Sequence, residues 1–235
     1  MNKKKTATMV ASLALVGAIG VGATLAYLSD KSNSLRNTFT IGEGYNPVGP
    51  NDQAVWIDET DINKESDDYD FVFKGENRTL DGNIYNDVYA ESKLKKDPVL
   101  RLANDSVKSY GYIRVLGITD DHNITINTEK WEAVETYDQF GNGIYRYKEV
   151  MDPGETEAVD GEYVYDENKV YSTESLFKAT DGYEIVIDSN FDKEELGAID
   201  LVGCAVQAVT TENGVEVAVP VDEANSIAKA EMQKK

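Results

Sequence analysis

The chain contains one histidine, His122, within the segment Asp120–Asn123. Zinc sites of the common kinds use several histidine or cysteine ligands, and the metalloprotease pattern His-Glu-x-x-His does not occur in this sequence. A catalytic triad built on His122 would also need a serine or cysteine and a carboxylate, and the neighbouring sequence does not suggest them. We therefore predict that His122 is a solvated loop residue and that the chain has no catalytic residues.

Carboxylates offer a second kind of chemistry, metal binding through oxygen ligands. The spacing of Asp138, Asn142 and Glu149 partly fits a calcium loop, but Phe140 stands where such a loop carries an oxygen ligand. Because Gly141–Gly143 is typical of a hairpin turn, we favour a hairpin here. The acidic run Asp58–Asp70 favours a solvated loop or sheet edge, with a loosely bound divalent cation as the alternative. No tightly held metal or cofactor is predicted.

The single cysteine, Cys204, excludes an intramolecular disulfide bond. It lies in the apolar run Leu201–Val209, which predicts a buried strand. A buried structural thiol is the favoured interpretation, and pairing with a cysteine of another chain is the alternative.

The first 26 residues have the pattern of a secretory signal peptide. Lys3, Lys4 and Lys5 form a positive start, residues 7–26 are uncharged and mostly apolar, and small residues precede Tyr27. We predict cleavage between Ala26 and Tyr27, followed by secretion. The alternative is a permanent membrane anchor, because about 20 uncharged residues can span a bilayer.

The charge of the chain is strongly one-sided. It has 43 acidic and 23 basic residues, which gives a net charge of -20. Without the three lysines of the predicted signal, the net charge of the remainder is -23. Such a surface repels nucleic acid and anionic lipid, so we expect no nucleic-acid partner and contact with the membrane only before cleavage.

Short runs of alternating apolar residues, separated by turn residues, predict an all-β antiparallel sandwich of the jelly-roll or immunoglobulin-like kind. A few short peripheral helices and an N-terminal signal helix are expected with it. The domain organisation predicted is 1–26 signal peptide, 27–42 N-terminal segment, 43–221 sandwich and 222–235 helical tail. The predicted strands include Val55–Glu59, Asp70–Phe73, Tyr110–Ile118, Ile144–Val150, Tyr183–Ile187, Leu201–Val209 and Val215–Val219.

The residues around the predicted cleavage site carry a family resemblance. Gly22–Asp30 (Gly-Ala-Thr-Leu-Ala-Tyr-Leu-Ser-Asp) and Asn37–Gly42 (Asn-Thr-Phe-Thr-Ile-Gly) resemble the start of proteins processed by the signal peptidase SipW. Those proteins carry Gly-Gly-Thr-x-Ala, two aromatic residues and x-Asp, followed by Asn-x-Phe-x-x-Gly. Leu28 stands here at a position that is often aromatic. The resemblance implies a SipW-type peptidase as a partner in a Gram-positive bacterium.

Further blocks resemble the TasA/camelysin family of secreted biofilm matrix proteins. Asp105-Ser106 replaces the family's Thr-Gly, and extra residues separate the turn at Pro153 from Leu176. The matches cover roughly half of the chain by pattern. They are Lys96–Asn104 with Tyr110–Val115, Tyr145–Thr156 with Ser175–Phe177, and Ala205–Ala208.

In this family the N-terminus created by cleavage can complete the sheet of a neighbouring copy. The matching segment is Tyr27–Ile41, with Leu28, Leu35, Phe39 and Ile41 as apolar anchors. The resemblance thus implies a structural fibre subunit of a cell-surface matrix, assembling by β-strand addition with other copies and contacting matrix or cell-wall components. The plain alternative is that Tyr27–Ile41 is the first strand of its own domain.

Two other classes of function stay open. An adhesin or glycan-binding module would use exposed aromatic side chains, although these are more typical of core and cross-strand pairs. A camelysin-like secreted metalloprotease is disfavoured because the zinc motif is missing. The aromatic candidates are Tyr110, Tyr112, Tyr145, Tyr147 and Tyr163.

Overall fold

The computed structural model of the chain describes residues 29–33, 36–38, 45–62, 71–85, 88–156, 164–192, 196–212 and 215–233. The predicted signal peptide, residues 1–26, lies outside the described residues. The described part of the chain contains no helix with the length and apolar character needed to cross a bilayer.

The described residues form fifteen strands, one 3₁₀ turn at Pro50–Asp52 and one α-helix. In chain order they are β1 (Ser29–Asn33), β2 (Arg36–Thr38), β3 (Val55–Thr60), β4 (Phe71–Phe73), β5 (Glu76–Thr79), β6 (Lys93–Leu94), β7 (Val99–Leu102), β8 (Ser109–Leu116), β9 (Trp131–Thr136), β10 (Gly143–Met151), β11 (Tyr171–Ser172), β12 (Ile185–Val186), β13 (Asp200–Gln207), β14 (Val209–Glu212), β15 (Val215–Ala218) and α1 (Val221–Gln233).

Two antiparallel sheets make up the body of the protein. One has six strands in the order β2-β1-β13-β8-β10-β9, and the other has five in the order β11-β7-β3-β5-β4. β12 pairs with β6, and β14 pairs with β15, as separate two-stranded units. The prediction of an all-β antiparallel sandwich is confirmed.

The main core lies between the two sheets. Val55, Ile57 and Leu100 contribute from the five-stranded sheet, and Ile113 and Trp131 from the six-stranded sheet. β8 shows how alternation produces this core: Ile113 and Val115 face it, while Tyr110 and Tyr112 face the opposite side. A Cβ added at Gly111 would lie 2.5 Å from Met151 Sδ and 2.8 Å from Leu100 Cδ2, so a larger residue there would force these two buried side chains to shift.

A second core lies on the outer face of the six-stranded sheet, under α1. Ala224, Ala228 and Met232 are buried against Tyr112 and Cys204, among others. The 3.6-residue period places these three side chains on one face of the helix. The predicted C-terminal helix, 222–235, is therefore a packed layer of the domain, from Val221 to Gln233 within the described residues.

Candidate functional site: the β1 edge of the six-stranded sheet

β1 lies between β2 and β13, close to one border of the six-stranded sheet. Its register on β13 pairs Ser29 with Val206, Asp30 with Ala205 and Lys31 with Cys204. On its other side β1 pairs with the three-residue strand β2. The N-terminal segment of this chain therefore adds an edge to its own domain, as the plain alternative predicted.

Within the described residues, β1 pairs with β13 over a shorter length than β8 does on the other side. Its described residues pair with β13 at three positions, whereas β8 pairs along the whole of β13, from Asp200 to Gln207. β13 itself is buried on both faces: Leu201 and Ala205 face the main core, and Cys204 and Val206 face α1. A strand held by few hydrogen bonds opens more readily than the rest of the sheet. Removing β1 would expose the backbone of a central apolar strand.

The opposite border of the sheet is protected against strand addition. Within the described residues β9 pairs with β10 alone, and a register shift interrupts this pairing between Ile144 and Tyr145. The β9 residues Glu132 and Glu135 add negative charge to this border. Glu132 also accepts hydrogen bonds from Arg146 Nε at 3.1 Å and Nη2 at 2.7 Å. Bulges and charged residues are features by which edge strands resist pairing with other chains.

The structure does not describe the predicted cleavage site or the residues predicted as assembly anchors. Ala26, Tyr27 and Leu28 lie outside the described residues, as do Leu35, Phe39 and Ile41. β1 begins two residues after Tyr27 in the sequence. The cleavage site and the four anchors stay predictions.

The predicted structural role of Cys204 is confirmed. The thiol forms no disulfide bond and is fully buried beneath α1, and Lys31 of β1 lies directly opposite it in the strand register. Four of the five tyrosines considered for glycan binding, Tyr110, Tyr112, Tyr145 and Tyr147, are also buried. Tyr163 lies outside the described residues.

The prediction for His122 is wrong, because this side chain is fully buried. Its Nδ1 accepts from the backbone N–H of Thr119 at 3.1 Å, and its Nε2 lies 3.1 Å from the carbonyl oxygen of Gly197. This pattern defines a neutral ring that donates from Nε2. His122 links its own loop to the loop of Gly197, and the sequence did not reveal this because Gly197 is distant in the chain.

The hairpin prediction for residues 141–143 is confirmed by the pairing of β9 with β10. Asp138 Oδ1 accepts from the backbone N–H groups of Phe140 at 2.9 Å and Asn142 at 3.2 Å. The Asn142 side chain exchanges two hydrogen bonds with the backbone of Ile118, at 2.9 and 2.7 Å. Glu149 lies six residues beyond Gly143 along β10, about 20 Å away at the rise of a strand. Asp138 and Asn142 therefore stabilise the turn, whereas Glu149 lies far along β10, so the three side chains do not converge on one site.

Two members of the acidic run lie in the predicted strand Val55–Glu59, but the solvation expected for the run is wrong for them. Asp58 and Glu59 belong to β3 and are buried, with Asp58 fully so. Asp58 accepts hydrogen bonds from Arg78 Nε at 2.7 Å, from Arg101 and from Trp56 Nε1 at 2.9 Å. Residues 63–70 of the run lie outside the described residues.

The buried carboxylates belong to a larger set of ion pairs, which we call the charge network. Besides the pairs of Asp58 it contains Lys96–Glu59 at 3.0 Å and Lys95–Glu184 at 2.9 Å, and Asp97 lies 3.4 Å from Arg78. Four acidic and four basic side chains make it electrically neutral. Its members are Asp58, Glu59, Asp97, Glu184, Arg78, Arg101, Lys95 and Lys96.

Residues that carried the family resemblance form structural clamps. Asn104, fully buried, donates to the carbonyl of Val164 at 2.9 Å and accepts from the N–H of Asp166 at 3.1 Å. Asp105 accepts from both the backbone N–H and the hydroxyl of Thr156, at 2.6 and 2.5 Å. These contacts join the loop after β7 to the turn after β10. These hydrogen bonds stabilise the fold.

No cluster of three or more His, Cys, Asp or Glu side chains suited to hold a metal ion occurs among the described residues. Comparisons of the chain with family models, with curated proteins and with solved structures found no match.

Proposed function

We propose that this chain is an exported structural subunit of extracellular matrix fibres, in which β1 of one copy pairs with β13 of the next. The observation that carries the proposal is the arrangement at the sheet border. Among the described residues β1 pairs with β13 at three positions, although β13 is the apolar strand at the centre of the fold. Exchange of an identical element between copies needs no new interface, because each contact already exists within one copy.

The asymmetry of the two sheet borders supports assembly through β1. A strand exchanged at one border with a protected opposite border gives a head-to-tail contact, and such contacts build open filaments when they do not close into rings. In this proposal the signal segment keeps β1 tethered at the membrane, and cleavage before Tyr27 releases it. The N-terminal pattern resembling SipW substrates supports the same order of events.

The proposal is tested by electron microscopy of the chain that begins at Tyr27. We expect fibres from this chain and none after deletion of residues 27–41. Asp30→Pro is the sharper variant, because proline cannot donate to a strand ladder and blocks pairing at the centre of the β1 register. Asp222→Pro makes the same chemical change in the first turn of α1, where proline is tolerated, and should leave the fibres intact. Persistently monomeric protein at high concentration would contradict the proposal.

A further inference from the structure

The Glu59 carboxylate of the charge network accepts hydrogen bonds from both the Lys96 amine and the Asn83 carboxamide. Lys96 Nζ donates to Glu59 Oε2 at 3.0 Å, and Asn83 Nδ2 donates to Glu59 Oε1 at 3.1 Å. The backbone N–H of Asn83 donates to the same Oε1 at 2.8 Å. The Lys96 and Glu59 side chains are only 10% and 4% exposed. The amine and the carboxylate are therefore largely shielded from water, and the half-buried Asn83 completes the group.

The carboxamide of Asn83 is fixed and polarised. Its Oδ1 accepts from the backbone N–H of Ile62 at 3.0 Å, and its Nδ2 also donates to the carbonyl of Thr60 at 2.8 Å. Burial raises the pKa of the nearby Tyr85 far above its usual value, and the negative charge of Glu59 raises it further. An amine nucleophile, a carboxylate that can carry protons and an N–H aimed at the carbonyl oxygen are the groups that acyl transfer to an amine requires.

We propose that Lys96 and Asn83 join in an intramolecular isopeptide bond, with Glu59 as the proton carrier. The Lys96 ammonium gives a proton to Glu59, and the free amine attacks Cγ of Asn83 while the Ile62 N–H stabilises the charge on Oδ1. Glu59 returns the proton to the departing nitrogen. One C–N bond forms and one breaks; the second proton of the attacking nitrogen leaves with ammonia as ammonium. No oxidant or cofactor is needed.

The bond would give this chain a covalent tie that its single cysteine cannot supply. It closes the loop from Asn83 to Lys96, which follows β5 and contains β6. Ile84 and Tyr89 of this loop are 70% and 66% exposed, so little apolar burial holds it in place. A cross-link stabilises such a loop by restricting the unfolded chain.

The inference is tested by the intact mass of the folded, secreted protein after denaturation and reduction. We expect a mass one ammonia lower than that calculated for the chain that begins at Tyr27, and a branched proteolytic peptide that joins Asn83 to Lys96. Lys96→Arg keeps the ion pair with Glu59 but cannot form the bond, and Glu59→Gln keeps both reacting residues but removes the proton carrier. Both variants should show the full mass, and Lys96→Arg should melt roughly 5–10 °C lower.

Two outcomes would overturn the inference. One is wild-type protein at the full mass calculated for the chain that begins at Tyr27. The other is an ammonia loss that maps to Asn142-Gly143 or Asn213-Gly214, where an asparagine can cyclise onto its own backbone. The mass is read on denatured chains, so it decides the inference whether or not the protein forms fibres.

Discussion

Asp58 shows how a single buried side chain organises the five-stranded sheet. Its carboxylate accepts hydrogen bonds from Arg78 of β5, from Arg101 of β7 and from the indole N–H of Trp56 in its own strand. Arg101 in turn stacks on Phe73 of β4, with its guanidinium carbon 3.7 Å from the ring centroid. One residue thereby links four strands through contacts that are inaccessible to water.

Loss of the Asp58 charge should strongly destabilise the protein. Asp58→Asn leaves two buried guanidinium groups without their principal partner, and we expect the free energy of unfolding to fall by about 3–5 kcal/mol. The control is Glu76→Gln, since Glu76 lies 3.8 Å from Arg78 and is 73% exposed; it should change stability by less than about 0.5 kcal/mol. Urea denaturation measures both. Equal effects of the two variants would contradict a central role for Asp58.

Asp97 should make the protein sensitive to acid. Burial would raise the pKa of Asp97, but hydrogen bonds from Thr60 and the charges of Arg78 and Lys95 outweigh it and hold the pKa below its usual 3.8. A carboxylate with a lowered folded-state pKa stabilises the fold above its unfolded pKa and loses this effect as the pH falls through the folded pKa. We therefore expect stability to decline below about pH 4. Asp97→Asn should flatten that decline in urea titrations; an unchanged slope would contradict the assignment.

At the scale of elements, α1 is the cover of the second core. It packs against β13 and β8 and lies close to β1. Tyr112 donates from its hydroxyl to Asn225 Oδ1 at 3.1 Å, and Arg114 donates to the carbonyl of Met232. The helix buries two alanines and one methionine, so its docking depends on a close fit of small side chains.

A charge on the buried face of α1 should undock the helix. Ala228→Glu places a carboxylate in the second core, whereas Ala230→Glu makes the same change on the exposed face. If the buried charge costs about 2 kcal/mol of docking, Cys204 should react with a thiol reagent roughly 30-fold faster. Ala230→Glu should leave the labelling rate of Cys204 unchanged. Slow labelling in both variants would show that α1 does not control access to Cys204.

The elements that the sequence predicted are those with strong local patterns. β8 and β10 are rich in β-branched and aromatic residues, β13 is a continuous apolar run, and α1 carries the helical period, so these were found close to their observed bounds. β5, with the sequence Glu-Asn-Arg-Thr, was missed because its arginine is buried by Asp58 from another strand. The same cause hid Glu59, Asn83 and Lys96: their meeting depends on tertiary pairing, which no local pattern records.

At the scale of the whole molecule, the neutral charge network and the acidic composition have a joint consequence. The buried charges cancel, so the net charge of -20 is carried by residues outside the network. Copies of the protein therefore repel one another at long range, and screening by salt weakens that repulsion.

Fibre growth should accordingly accelerate with ionic strength. Raising sodium chloride from 10 mM to 150 mM shortens the Debye length from about 30 Å to about 8 Å, so the rate of assembly should increase severalfold. Light scattering during growth measures the rate. Calcium compared with sodium at equal ionic strength separates screening from divalent cation binding. Growth that slows on adding salt would contradict an assembly limited by repulsion between acidic surfaces.

The central claim, that β1 of one copy pairs with β13 of another, can be read directly from a disulfide bond. Lys31→Cys places a thiol opposite Cys204 in the β1–β13 register, within the Cα separation that a disulfide requires. Fibres assembled under reducing conditions and then oxidised should run as a ladder of linked copies on a non-reducing gel. The same variant with Cys204→Ala should give no ladder. Fibres whose oxidised subunits all run as monomers would contradict strand exchange.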